Sequence, residues 1–285
     1  FCLSQNKKNE INRKYDDQDK FKIVIDSKFV KGKLHYGEYI IKGKSSQEIL
    51  ISTYICHPSM ANDNLSGIIV SMALISHFKK IKNLSKTIRF LFIPETIGSI
   101  AFIDKNLSTL KSNVVGGYNL CCIGDNRVHS MILTKYGNSL SDKSLFETYK
   151  KLKIKPKIFN FLSRGSDERQ FNSPGVNLKI AGICRSKYGQ YPEYHTSLDN
   201  FNLVSLTGLI GGFKVAKTAI NNLIKKTIPI SKVICEPQLG KRRLYPTLSK
   251  KNASYSEGIK LSDFLQYSDG QNDLEDIAKY IKVNK

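Results

Sequence analysis

With 285 residues, 40% of them hydrophobic, the chain is long enough for one large domain, or one with a small appendage, around a substantial buried core. Its 45 basic against 24 acidic residues give a formal charge of +21, but the surplus is mostly Lys spread along the whole chain beside abundant Asn and Ile; this is a compositional bias, not one basic face, so nucleic acid is not expected as a partner. Six Cys, at positions 2, 56, 121, 122, 184 and 235, show no C-x-x-C or zinc-finger spacing, which argues against a structural zinc motif and for free thiols in a reducing cytoplasm.

In chain order, residues 21–26 (FKIVID) and 34–41 (LHYGEYII) alternate as strands do, and residues 43–46 turn the chain. Residues 48–55 form a short β-branched run, consistent with a buried strand. Residues 68–78 have helical apolar spacing, 87–93 read as another buried strand, and 99–103 open a short helix. Further core strands are expected at 117–123 and 178–184, and a long amphipathic helix at 206–224. Strands alternating with helices argue for a layered α/β fold. After Ile230 the composition shifts. Residues 235–247 read as a connector, and two short helices follow around Ser268-Asp269-Gly270, the second opened by Asp273. No signal peptide is visible and no apolar run is long enough to span a bilayer, so no membrane partner is expected. The chain opens Phe1-Cys2-Leu3-Ser4 without Met, and both ends read as cut from a longer protein.

Polar residues gather just after the predicted core strands, where open α/β sheets form their ligand crevice. His57 and Asp63 follow the first core strand; both are good zinc ligands, and a loop must bring them together. Glu95 follows the next strand beside Gly98, placed either to aim into a cleft or to cap a helix. Asp125 follows the third at a turn, a position Asp also takes for backbone reasons. The segment 191–200 supplies His195 with Asp199 four residues on, and a carboxylate beside a ligating His often fixes its ring.

The ordered set His57…Asp63, Pro94-Glu95-x-x-Gly98-Ser99, Asp125, Ser166-Asp167-x-x-x-Phe171 and His195-Thr196-x-x-Asp199 resembles the co-catalytic zinc aminopeptidase superfamily. It is more similar to a bacterial aminopeptidase-like branch of unknown function. That branch carries the runs 51–67 and 191–197 almost as written here, the connector Cys235-Glu236-Pro237-Gln238-Leu239-Gly240-Lys241-Arg242, and a winged-helix tail. The resemblance covers nearly the whole chain. It implies a mixed β-sheet core with helices on both faces over residues 1–230, with 1–45 partly an accessory β subdomain, and a partial winged-helix-like tail over 231–285. It also implies one or two zinc ions. Asp63 would bridge them, His57 and Asp125 would complete one site, and His195 would serve the other. Glu95 would be the general base acting on metal-activated water. The loop holding Arg164, Asp167, Glu168 and Arg169 would line the pocket; by residue type Arg169 suits a bidentate grip on a substrate carboxylate, the alternative, more so for Glu168, being a solvated charged loop. Read from the residues alone, Tyr188 and Tyr191 either shape the pocket or merely pack, and His35, His77 and His129, which have no partner motif, are structural or surface residues.

Two departures stand out. Thr96 replaces an expected second Glu ligand, and Ser59 an expected Asp, which weakens the second metal position. The implied function is a zinc-dependent hydrolase of the aminopeptidase type, cleaving an amide in a small peptide or amino-acylated compound. The alternative is a non-catalytic, metal-stabilised binding protein with a degenerate site, tied to polysaccharide biosynthesis or nucleic-acid binding. A homo-oligomer is compatible with either.

Overall fold

The structure is a computed structural model, and it describes residues 3–242, 244 and 255–283. Seven strands form one mixed sheet in the order β1-β3-β2-β4-β7-β5-β6. They are β1 (Gly37–Ile41), β2 (Glu48–Tyr54), β3 (Thr87–Ile93), β4 (Val114–Leu120), β5 (Ser130–Ile132), β6 (Lys157–Phe159) and β7 (Ile180–Cys184). The four central strands β3, β2, β4 and β7 are mutually parallel. β1 closes one side antiparallel to β3, and β5 runs antiparallel to β7 on the other. All seven residues of β2 are buried, as a strand covered on both faces requires.

Strand alternation feeds two cores. Ile49, Ile51, Ile88 and Phe90 point into one layer, with α2 (Ser66–Phe78), α4 (Leu140–Lys151) and α6 (Leu206–Lys225). Leu50, Leu91, Ile93 and Ile180 point into the other, against Phe102, Ile103 and Leu110 of α3 (Ile97–Asn113) and Phe171 of α5 (Glu168–Phe171). The expected short helix at 99–103 is thus a 17-residue one, because Phe102, Ile103, Leu107 and Leu110 keep a helical stripe on this second core. Helix α4 lies outside the elements expected from the sequence. Its signal was local: Ser139 and Asp142 form a capping box at its start.

The N-terminal expectation is corrected. Residues 21–26 form no strand. Phe21, Ile23, Val24 and Ile25 are exposed, and among the described residues nothing pairs with them. Alternation alone does not make a strand without a partner ladder. A helix, α1 (Gln5–Lys14), precedes this segment, and β1 is the β-structure among the described residues up to 45.

The tail carries α7 (Tyr255–Gln266) and α8 (Leu274–Tyr280). Backbone bonds tie these helices to the segment that follows α6, and charge pairs join them to the main layer. Ser231 N donates to Ser268 O, Gly270 N to Pro229 O, and Leu274 N to Thr227 O. Asp273 caps α8 by accepting from Asp276 N, and it also receives Lys226 Nζ at 2.7 Å. The same ammonium reaches Glu147 at 3.0 Å, and Lys143 pairs with Asp276 at 2.8 Å. Lys226→Met keeps the aliphatic stem but leaves the buried Asp273 without its cation. We expect it to loosen α8 by about 1–3 kcal/mol, seen as faster amide exchange in that helix alone. Unchanged exchange would show that the ion pair holds nothing. No helix among the described residues is long and apolar enough to cross a membrane.

Candidate active site

The parallel strands all end at one edge, and the loops leaving β2, β3 and β4 converge there. β2 ends at Tyr54, and His57 follows three residues on. A tight turn with Ser59 in the left-handed region (φ 62°) then leads to the segment Ala61–Leu65 before α2, buried from Ala61 to Asn64. Asp63 lies in that segment, fully buried. Gly67 behind it is required by space: a Cβ there would meet Asn64 Oδ1 at 2.4 Å and Leu120 O at 2.6 Å.

Three of the expected residues meet. One ligand atom each from His57, Asp63 and His195 lies within 4.8 Å of the others. His195 Nε2 stands 3.1 Å from Asp63 Oδ2, yet that oxygen makes no hydrogen bond among the described residues. A buried carboxylate oxygen without a donor is costly. Its neighbours are imidazole nitrogens, so the donor set fits a divalent transition metal such as zinc. His195 is held with φ 56° and its ring stacks on Tyr194. His57 packs against the rings of Tyr54 and His195, and Cys56 Sγ lies 3.4 Å from its Nδ1.

Glu95 leaves the end of β3 and points at this group, with Oε2 3.9 Å from His57 Nε2. Burial raises its carboxyl pKa above the ordinary value, against a hydrogen bond from Ser166 and the charges of His57 and Arg169. Its backbone N–H donates to Cys56 Sγ at 3.1 Å. Thr96 follows with φ 64°, and its hydroxyl accepts Arg169 Nη2 at 2.5 Å. The place of the expected second Glu is therefore filled by a Thr–Arg contact.

Asp125 stands apart from the three. Its Oδ1 accepts from Ser186 Oγ at 2.8 Å and from Arg127 N at 3.0 Å. Its Oδ2 accepts from Ser186 N at 2.8 Å and Asn62 Nδ2 at 3.4 Å. With both oxygens engaged it ties the loop after β4 to the loop after β7, in place of the expected ligation. Asp199 likewise does not touch the His195 ring. It accepts from the backbone N–H groups of Asn62 at 2.6 Å and Asp63 at 3.0 Å, and so fixes the loop that carries Asp63.

The predicted substrate wall is also rearranged. Asp167 is fully buried and accepts from Thr96 N and Ser99 Oγ at 2.8 and 2.7 Å. Tyr191 is buried, with its hydroxyl 3.4 Å from Asp199 Oδ2 and 3.5 Å from Cys122 Sγ. Both support the site from behind. Arg169 remains beside Glu95, and its Nε is buried without a partner among the described residues. Glu168 and Tyr188 bond each other in the same buried layer. Two residues missed from the sequence belong here. Tyr54 Oη donates to Asp63 Oδ1, and Cys122, at φ 47°, sets its Sγ 3.6 Å from that same oxygen. Position alone could have flagged both, at the ends of β2 and β4. A cavity of about 420 Å³ opens beside His57, lined by Tyr54, Ile55, Met60, Leu65, Ile68 and Phe201 among others.

Burial pushes Asp167 up to about 7 from an ordinary value of 3.8. Between those values the folded protein holds a proton that the unfolded chain releases, so stability from this group falls as pH rises through that window. Asp167→Asn keeps an acceptor for Thr96 and Ser99 and removes the titration. We expect urea midpoints of wild type and variant to agree near pH 4. By pH 8 the variant is the more stable, by about 2–4 kcal/mol. A difference that does not change with pH would mean that Asp167 does not titrate there.

Comparison with known proteins agrees with this architecture. A curated protein of Clostridium acetobutylicum, provisionally named a polysaccharide biosynthesis protein with an aminopeptidase-like domain, is 39% identical over 282 residues. That match covers 98% of this chain and 62% of the relative, so the chain spans about three fifths of its length. A crystal structure of a provisional peptidase from C. acetobutylicum superposes with a TM-score of 0.66 at 37% identity, over 87% of this chain and 55% of that one. The zinc aminopeptidase of Bacillus subtilis shares the fold at a TM-score of 0.56 and 20% identity, over 65% of this chain and 49% of that one. A winged helix-turn-helix model matches residues 227–285. Residues 20–226 match the model described as a domain of unknown function, DUF4910, and the chain belongs to that aminopeptidase-like family.

Proposed function

We propose that the protein is a metal-dependent hydrolase of the aminopeptidase type that cleaves an amide in a small peptide or amino-acylated compound. The observation that carries this reading is the His57–Asp63–His195 group, with its buried, unpartnered Asp63 Oδ2 and with Glu95 beside it. Zinc held there would acidify water and polarise the scissile carbonyl. The remaining work falls to side chains. Glu95 Oε2 accepts the proton of the attacking water and passes it to the leaving amine. Burial raises its basicity for that task. Asp199 and Cys56 hold the Asp63 loop and the His57 ring in place. Arg169 offers a guanidinium to a carboxylate or carbonyl oxygen. The apolar cavity beside His57 receives the hydrophobic part of the substrate.

The test begins with metal. Elemental analysis of chelator-free wild type is expected to find one or two zinc ions per chain, lost in Asp63→Ala. The loaded wild type is then offered aminoacyl amides and small peptides. A wild type that takes up no metal from supplied zinc would sink the reading.

A further inference from the structure

A centre shared by two metal ions needs a carboxylate that gives one oxygen to each, with further anionic or imidazole ligands on both sides. Asp63 lies within the ligand group, but its two oxygens are not equivalent. Oδ2 faces His195 and has no hydrogen-bond donor among the described residues. Oδ1 faces the other way, into the buried cluster that holds Tyr54 and Cys122. There it accepts the Tyr54 hydroxyl and, at 3.6 Å, the Cys122 S–H. A carboxylate oxygen has two lone pairs, and these two donors use both. The outer positions are closed as well. Asp125 has both oxygens bonded, to Ser186, to Arg127 N and to Asn62. Thr96, in the place of the expected second Glu, accepts Arg169 Nη2 at 2.5 Å. A guanidinium therefore stands where a second cation would need an anion, and like charges there repel.

We infer that the centre takes a single metal ion, held by His57, His195 and Asp63 through Oδ2 alone, and that Tyr54 is the positioning residue that keeps Asp63 from bridging to a second. The inference rests on the metal centre proposed above and concerns how many ions it takes. Two imidazoles and one carboxylate with a fourth position left open for water form the ligand set of single-zinc hydrolases. Tyr54 suits its part. It is the last residue of β2, it is buried, and its ring packs on that of His57 with centroids 4.8 Å apart. Its hydroxyl cannot swing off Asp63 without displacing a ligand. The paired-ion arrangement implied by the sequence resemblance is thus not the one these side chains form. Glu95 works beside one ion, and the Arg169 guanidinium is the second positive charge next to it.

Cobalt(II), a spectroscopic stand-in for zinc, decides the number by electron paramagnetic resonance. The chelator-free full chain, titrated with cobalt(II) to two equivalents, is expected to show isolated high-spin ions throughout, with no signal lost as the second equivalent is added. A signal quenched by coupling between two ions overturns the single-ion centre and leaves the proposed metal centre standing. A chain that binds neither cobalt nor zinc removes both together. Tyr54→Phe keeps the ring and frees Oδ1. We expect it to bind one ion about 10- to 100-fold more weakly and to shift the visible cobalt bands, because Asp63 can then turn both oxygens to the ion. Affinity and bands equal to wild type overturn the part given to Tyr54. Should Tyr54→Phe fail to fold, Cys122→Ala frees the same oxygen and is expected to shift the same bands; unshifted bands there overturn the confinement of Asp63.

Discussion

Glu95→Gln is expected to lower amide turnover about 10²- to 10⁴-fold while leaving zinc content and KM nearly unchanged. Gln has the shape of Glu, can still accept the Ser166 hydrogen bond, and leaves the Glu95 backbone bond to Cys56 intact. What it lacks is the ability to take a proton at Oε2, 3.9 Å from His57 Nε2. Zinc content should hold because the ligand group consists of other side chains. The wild-type pH profile gives a second reading of the same carboxylate. Burial raises the Glu95 carboxyl, so the acid limb of kcat/KM should lie above the ordinary carboxylate value of 4.5. The variant's residual activity should lose that limb. Unchanged turnover in Glu95→Gln would remove Glu95 as the base and favour the reading of a binding protein with a degenerate site.

His57, Asp63, Glu95 and His195 were legible because each sits just beyond a strand or in a loop, where residue type and order carry the information. Asp125 and Asp199 were legible as residues but not in role. Which way a side chain points after a strand end depends on one backbone angle, and φ 47° at Cys122 turns the sulfur, not the carboxylate three residues later, toward Asp63. The partner of Asp125 is Ser186, 61 positions away in sequence, and that of Asp199 is the Asn62–Asp63 backbone, 136 or more away. No local pattern encodes such pairings. Strands β2, β3, β4 and β7 announced themselves because burial on both faces forces an apolar run. The three-residue strands β5 and β6 are too short for any periodicity to register, and residues 21–26 showed the converse, alternation without a partner.

Gly117→Ala is expected to destabilise the protein by about 3 kcal/mol or more, measured as a lowered urea midpoint, or to prevent folding altogether. Two adjacent glycines in a central strand are unfavourable for β-structure by themselves, so packing must require them. It does at Gly117: a Cβ there would lie 1.8 Å from Leu50 O and 2.7 Å from Leu50 C, both backbone atoms that no rotamer change can move aside. The register between β2 and β4 slips here as well, Glu48 pairing with Val114 but Ile49 with Gly116, so β4 bulges toward β2 where side chains would otherwise stand. Gly32→Ala is the control, because a Cβ there meets nothing within 4 Å, and its midpoint should stay within about 0.5 kcal/mol of wild type. A mild effect of Gly117→Ala would mean that β2 and β4 are farther apart than described. The consequence reaches the site, because β2 leads to His57 and the Asp63 loop, and β4 leads to Cys122, whose sulfur lies 3.6 Å from Asp63 Oδ1. Prying these strands apart should lower zinc affinity together with stability. A variant that unfolds more easily yet keeps wild-type zinc affinity would show that the ligands are positioned by the Asp199-bound loop and not by the spacing of the two strands.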